Sequence, residues 1–332
     1  MSEERSEPTP AASTSPPVGW ESLPTWRPPS RRMIAWSVGL FGLTFLTALV
    51  VGTYHMIAFS QSVGMTVRPL REPTVLPSIW RNPGLLGMGL PYAVVLLTIL
   101  LSHELGHYLF CWRYRVDATL PVFIPAPTLI GTFGAFIRIR GIIPHRNALL
   151  DIGAAGPLAG FLCSLPFLAI GVLLSQPVAG GLPQDDGAPD VLYFGEPLIW
   201  KLLVWILRDD PPGTDLMVHP IALAAWFGVL ATNLNLFPIG QLDGGHVAYA
   251  VLGPRARWLS RACWLGLVAL AIHNFVWVAW TLMTLLIGFR HPPTLWDDRT
   301  LDDRRRWLAL AAAVVFVLTF MPDPVRIRIS ME

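Results

Sequence analysis

The chain has 332 residues, of which 53% are hydrophobic and 14% charged, with a mean hydropathy of +0.51 and a formal charge of +2. No soluble domain of this length needs so much apolar surface, so spans of about 20 apolar residues are its expected source. The charge balance gives no sign of a nucleic-acid partner, and Cys111, Cys163 and Cys263, scattered without C-x-x-C spacing, argue against a disulfide framework or a thiolate metal site.

Residues 1–32 are rich in Pro, Ser, Thr and Glu and are expected to form a disordered cytoplasmic tail. No short apolar segment with a small-residue cleavage site follows a basic start, which argues against a signal peptide. Acidic Glu3, Glu4 and Glu7 argue against an organellar transit peptide. Six segments then read as membrane-embedded: 33–59, 84–112, 148–176, 217–242, 262–289 and 307–322, with 198–208 too short to cross and expected at the interface. The predicted fold class is an all-α polytopic membrane protein of about six transmembrane helices, with a small re-entrant β-hairpin after the second. The expected divisions are the tail (1–32), a first span and external loop (33–83), a membrane-embedded core (84–250) and C-terminal spans with a tail (251–332).

After the second span, Thr132 to Arg140 alternates partly at period two and predicts a strand. Pro121, Pro125 and Pro127 upstream suggest a re-entrant loop; a cytoplasmic hairpin that merely packs the core fits the same residues. Arginines set the orientation. Arg27, Arg31 and Arg32, then Arg113, Arg115, Arg138, Arg140 and Arg146, then Arg255, Arg257 and Arg261 mark cytoplasmic segments, whereas 177–197 holds Asp185, Asp186, Asp190 and Glu196 with no basic residue. Two loops disagree with this arrangement: 60–83 carries Arg68, Arg71 and Arg81, and 290–306 carries Arg299, Arg304, Arg305 and Arg306.

The chemistry centres on His103-Glu104-Leu105-Gly106-His107, an H-E-x-x-H near the end of an apolar run. Histidines four apart lie on one helical face, so both imidazoles can reach one metal ion, and the glutamate can take a proton from water. Polar clusters at membrane depth are costly enough to imply a purpose. A catalytic zinc takes three protein ligands, so a third is required beyond the two histidines. The candidates are Asp151, His145, His219, Asp243, His246 and His273. Depth favours Asp243: it stands twelve residues before Arg255, as His103 stands ten before Arg113. Its neighbours favour it too, because Pro238, Gly240, Gly244 and Gly245 break a helix at membrane depth beside Asn233 and Asn235. Broken backbone there is tolerated around a buried site or a wet cavity.

These two motifs together resemble the site-2 protease family of intramembrane zinc metalloproteases, which pair H-E-x-x-H with N-x-x-P-x-x-x-L-D-G in a later span. Here the second motif is Asn235-Leu-Phe-Pro238-Ile-Gly-Gln-Leu242-Asp243-Gly244, and Gly156-Pro157-Leu-Ala-Gly160 fits the family's glycine-rich helix. The resemblance covers roughly residues 84–250 and implies a compact member in which neither a PDZ domain nor a CBS pair is expected. It implies one zinc ion per chain held by His103, His107 and Asp243, with Glu104 as the catalytic base. Asn235 and Pro238 are implied as substrate- or oxyanion-binding residues. The activity implied is regulated intramembrane proteolysis of single-span or other membrane-protein substrates in the lipid bilayer. The location expected is a multi-pass protein of the bacterial plasma (inner) membrane, and the arginine-rich loops that follow His103 and Asp243 predict an active site facing the cytoplasm. A strand edge from 118–142 near the metal could then pair with an extended substrate by β-addition. The competing class is a catalytically silent metal-binding membrane protein or a transporter.

Overall fold

A computed structural model describes residues 27–62, 75–178, 191–211, 213–295 and 300–328. Residues 1–26 of the expected tail, Arg68, Arg71, Asp185, Asp186, Asp190 and Arg299 lie outside the described residues.

Helix α1 spans Arg31–Ser62 and a short α2 spans Val75–Arg81. A 3-10 turn at Pro83–Gly89 runs into α3, Leu90–Arg113. A hairpin of β1 (Val122–Pro125) and β2 (Thr132–Phe136) follows, then α4, Arg146–Leu174. Next come β3 (Gln176–Val178), β4 (Val191–Phe194), the ten-residue α5 (Leu198–Leu207) and β5 (Asp215–Met217). The chain continues through α6 (Pro220–Asn235), α7 (Asp243–Leu252), α8 (Ala256–Ala271), α9 (Phe275–Ile287), α10 (Asp303–Thr319) and β6 (Val325–Arg328).

Three helical stretches, Arg31–Gln61, Pro83–Arg113 and Arg146–Leu174, are long and apolar enough to cross a membrane. Their outward faces expose Trp36, Val94, Leu109, Leu162 and Leu173, as expected of helices solvated by hydrocarbon. The core is built where α3, α4 and α6 meet, around Leu96, Ile99, Leu168, Ala224 and Val229. Small residues let these backbones approach closely. A Cβ on Gly106 of α3 would stand 2.6 Å from the Ala155 carbonyl oxygen of α4.

The hairpin pairs antiparallel, with Val122 opposite Phe136 and Phe123 opposite Ala135. Its turn packs deep among the helices. Thr47 of α1 donates to Gly131 O at 2.6 Å, Tyr92 of α3 donates to Ile130 O at 2.9 Å, and His55 Nε2 lies 2.9 Å from Leu129 O. Its open ends, near Asp117 and Arg140, lie by the arginine-rich end of α3. The strand predicted over 132–140 is thus present as β2 and its extension to the Ala118–Ile139 bridge.

Three of the six predicted spans fall on the three long apolar helices, 217–242 and 307–322 correspond to the shorter α6 and α10, and the remaining one differs. Segment 262–289 is a helical hairpin, not a single helix: α8 and α9 pack against each other, and Trp264 Nε1 donates to Thr281 O at 3.1 Å across the pair. The turn is closed by Asn274, whose side chain caps α9 by accepting from Val276 N at 2.9 Å and donates to Val325 O at 2.8 Å. Hydropathy registers only the apolar run, because the turn's polar groups are satisfied internally. The chain therefore returns to the end from which it left. Leu295 N donates to Ile143 O at 3.2 Å, and Arg305 reaches Asp151 near the start of α4. Helix α10 then runs the other way along α4 and α6, delivering β6 to pair with β4, Phe194 opposite Val325.

Candidate metal centre

Helix α3 carries His103, Glu104 and His107 into the bundle, where all three are buried. Asp243 arrives from a different direction. Helix α6 stops at Asn235, the chain turns through Phe237 to Gly240, and α7 begins at Asp243. Gly240 adopts a φ of +54°, and a Cβ there would stand 2.1 Å from the Gly288 carbonyl oxygen, so the turn requires glycine. The Asp243 carboxylate thereby occupies the first turn of α7, where the helix dipole favours negative charge.

Three ligand-type atoms converge. His103 Nε2, His107 Nε2 and Asp243 Oδ2 lie 3.2 Å from one another in each pairing. Tetrahedral zinc with bonds of about 2.0–2.1 Å needs ligand atoms about 3.3–3.4 Å apart. The tautomer fits as well. His107 Nδ1 lies 2.7 Å from the Ile152 carbonyl oxygen, which only accepts, so Nδ1 carries the proton and Nε2 presents a lone pair. In the neutral imidazole that lone pair faces a carboxylate oxygen at 3.2 Å, an arrangement that a shared cation satisfies. The residues present therefore fit a divalent metal, and they form the one such cluster found among the described residues.

Glycines of α4 make room for the imidazoles. A Cβ on Gly156 would stand 2.1 Å from His107 Nε2, and one on Gly160 would stand 3.2 Å from His103. Beside the cluster opens a cleft of about 620 Å³ that also holds Glu104, Asn235 and Gln241. Residues Ala135 to Ile139 form one wall, and His291 to Thr294 form another. The Glu104 carboxylate stands beside the backbone of Ile137 in the first wall.

The other sequence candidates have different roles. His145 caps α4, accepting from Ala148 N at 3.0 Å, and His219 caps α6, accepting from Ile221 N at 3.2 Å. His273 sits in the α8–α9 turn. Asp151 bonds Arg305 and Tyr114. His246 lines the cleft, but its Nδ1 lies 2.5 Å from His291 Nε2 and it stands outside the ligand cluster. Asn233 turns to α10, donating to Thr319 Oγ1 at 3.2 Å, whereas Asn235 faces the cleft. Pro238 is not among the residues lining the cleft, and its carbonyl accepts from Ser260 Oγ at 2.8 Å. Gln241, Arg138 and His291 were not singled out as site residues from the sequence: Gln241 stands at an unspecified position of the second motif, Arg138 read only as part of a strand and a charge marker, and His291 lies in a segment without a motif.

The chain is similar to known proteins named as zinc metalloproteases. The chain is 31% identical over 257 residues to probable zinc metalloprotease EGY2, chloroplastic, of Arabidopsis thaliana, covering 75% of this chain and 44% of that protein. It is 35% identical over 245 residues to probable zinc metalloprotease EGY1, chloroplastic, of the same plant, covering 70% and 43%. With the EGY1 protein of Oryza sativa subsp. japonica it shares 33% identity over 244 residues, covering 70% and 40%. The chain thus spans less than half the length of these curated relatives. No solved structure matches it significantly. A profile of Peptidase family M50 matches residues 91–270, a stretch that begins at the start of α3 and contains both halves of the converging cluster, and the chain belongs to that family.

Proposed function

We propose that the chain is an intramembrane zinc metalloprotease that hydrolyses peptide bonds within or near transmembrane segments of membrane proteins. In this reading His103, His107 and Asp243 hold one zinc ion, and Glu104 is the base. The observation that carries it is the meeting of three ligand atoms at 3.2 Å beside a buried glutamate in an open cleft. Zinc supplies Lewis acidity, polarising a carbonyl and acidifying water. Glu104 accepts the proton of the attacking water and passes it to the leaving amine. Ile152 O orients His107, and the backbone of Ile137 stands beside the Glu104 carboxylate. Asn235 supplies an amide to the substrate or the developing oxyanion, and Pro238 serves by ending α6 rather than by contact.

The extension of β2 suits an extended substrate. Arg138 points both backbone groups at Thr119, donating to Oγ1 at 2.8 Å and accepting from N at 3.0 Å. Strand alternation therefore turns the backbone groups of Ile137 and Ile139 to the opposite edge, where Ile137 meets Glu104. A substrate strand added there would lie beside the metal, and the depth of the hairpin turn supports a re-entrant hairpin.

Sidedness follows from charge. The fold-back of α8 and α9 brings Arg290, Arg304, Arg305 and Arg306 to the same end as Arg113, Arg146 and Arg257, which removes one of the two loops that opposed a cytoplasmic-facing site. The named relatives are chloroplastic, so they lend no support to a bacterial plasma membrane. The silent alternative predicts loss of Glu104 or a ligand, and all four residues stand in place.

The test is reconstitution in liposomes with a single-span substrate, comparing wild type with Glu104→Gln and locating cuts by mass spectrometry. Cuts in or near the span that vanish in the variant are expected. Equal cutting by both would overturn the reading.

A further inference from the structure

The mechanism leaves one buried charged cluster unused. Asp151 of α4 is 7% exposed, too far buried for an unpaired carboxylate. It receives a two-pronged grip from Arg305 of α10: Nη2 donates to Oδ2 at 2.7 Å and Nε to Oδ1 at 3.0 Å. Tyr114, at the end of α3, donates its hydroxyl to the same carboxylate and accepts from Arg305 Nη2 at 2.9 Å. Burial and the bond to Asp151 raise the Tyr114 phenol above its ordinary range, so it stays protonated. Arg305 is itself anchored, since Asp302 caps α10 by accepting from Arg305 N at 2.9 Å and also bonds its guanidinium.

Position gives the cluster its meaning. Tyr114 follows His107 by seven residues, two helical turns on the same face and about 10 Å away. Asp151 immediately precedes Ile152, whose carbonyl fixes the His107 ring at 2.7 Å. The bonds His107–Ile152 and Tyr114–Asp151 are thus successive rungs between α3 and α4. The Tyr114 ring also packs in the small cluster that buries the Ile152 side chain. Sliding or rotating α4 at the outer rung would carry the Ile152 carbonyl away from Nδ1. Arg305 is the one member contributed from outside these two helices, and it closes that rung.

We infer that Arg305, gripping Asp151 and Tyr114, is a positioning residue of the metal centre, holding α3 and α4 in the register at which Ile152 orients His107. This deepens the proposed function and rests on it for its catalytic consequence. The C-terminal helix is then part of the active-site scaffold through a single side chain.

The test uses the full chain in detergent or nanodiscs, with zinc affinity by chelator competition, the absorption spectrum of the cobalt-substituted protein, and kcat and KM on a single-span substrate. Outer partners of metal-bound histidines are commonly worth about 10–100-fold in affinity or activity. Arg305→Met is expected to weaken zinc binding by about tenfold, alter the cobalt spectrum and lower kcat with KM within about twofold. Arg305→Lys should recover part of each loss. Removing one partner leaves the other charge buried, so the double variant Asp151→Leu/Arg305→Leu covers the case in which Arg305→Met fails to fold. Tyr114→Phe, which removes one hydroxyl, should move the same readouts less. Asn233→Ala is the comparison, because it loosens α10 at its other end, where Asn233 bonds Thr319. Zinc affinity and cobalt spectrum unchanged in folded Arg305 variants would overturn the inference, as would an equal loss in Asn233→Ala. Wild-type protein that binds zinc but cleaves nothing would count against the protease reading alone, since the affinity and spectral arms still report on the clasp.

Discussion

Gly156 of α4 faces His107 of α3 so closely that a methyl group cannot stand between them: an added Cβ would lie 2.1 Å from Nε2. The ring has nowhere to retreat, because its Nδ1 is held by Ile152 O at 2.7 Å. Gly156→Ala must therefore push the imidazole off the metal position or part the two helices. The expected result is at least about a tenfold loss of zinc affinity, in line with the sensitivity of metal sites to the orientation of their histidines. Gly266→Ala, where nothing lies within 4 Å of an added Cβ, should leave zinc affinity unchanged.

Removing the base while keeping the ligands separates binding from turnover. Glu104→Gln should retain about one zinc per chain and lose at least about 10²-fold in cleavage rate, the scale of a general base. Its amide can still bond within the cleft, so folding should be unaffected. Metal analysis beside a cleavage assay reads both, and proteolysis at the wild-type rate would remove Glu104 from its role.

If Asp243 completes the ligand set, Asp243→Ala should cost zinc affinity to a degree comparable with His107→Ala, since each deletes one of three protein ligands. His219→Ala and His273→Ala should leave zinc content unchanged, because the first residue caps α6 and the second lies in a turn between α8 and α9. Zinc retained by Asp243→Ala but lost by His219→Ala would overturn the assignment.

The legible part of this protein was what local pattern can express. H-E-x-x-H fixes its own face on α3 by helical period alone, and the Pro238–Gly245 interruption marks a broken helix whatever it packs against. The hairpin strand was visible because alternation is local too. What remained hidden depends on contacts between distant segments. Arg305 and Asp151 are 154 positions apart, and His246 and His291 are 45 apart, with nothing in either neighbourhood that names the other. The fold-back at Asn274 was hidden differently, since Phe275–Ile287 is as apolar as any span and only the capped turn distinguishes two helices from one. Reading that stretch as a crossing is what made the 290–306 arginines seem misplaced.

That fold-back yields a direct test of topology. If α8 and α9 form a hairpin, Arg257 and Arg304 lie on the same side of the membrane, whereas a single crossing would separate them. In the proposed orientation that side is cytoplasmic or its equivalent, and the acidic 177–197 loop is expected opposite. Single cysteines can be placed by Arg68→Cys, Gly187→Cys, Arg257→Cys and Arg304→Cys in a background lacking Cys111, Cys163 and Cys263. A membrane-impermeant thiol reagent applied from outside should label the first two positions and spare the last two. Labelling of Arg304→Cys with Arg257→Cys protected would mean that 262–289 crosses after all. Labelling of both Arg257→Cys and Arg304→Cys, with Gly187→Cys protected, would invert the protein. It would also move the expected cut toward the other face, because His103 and His107 lie only about 15 and 9 Å along α3 from Arg113.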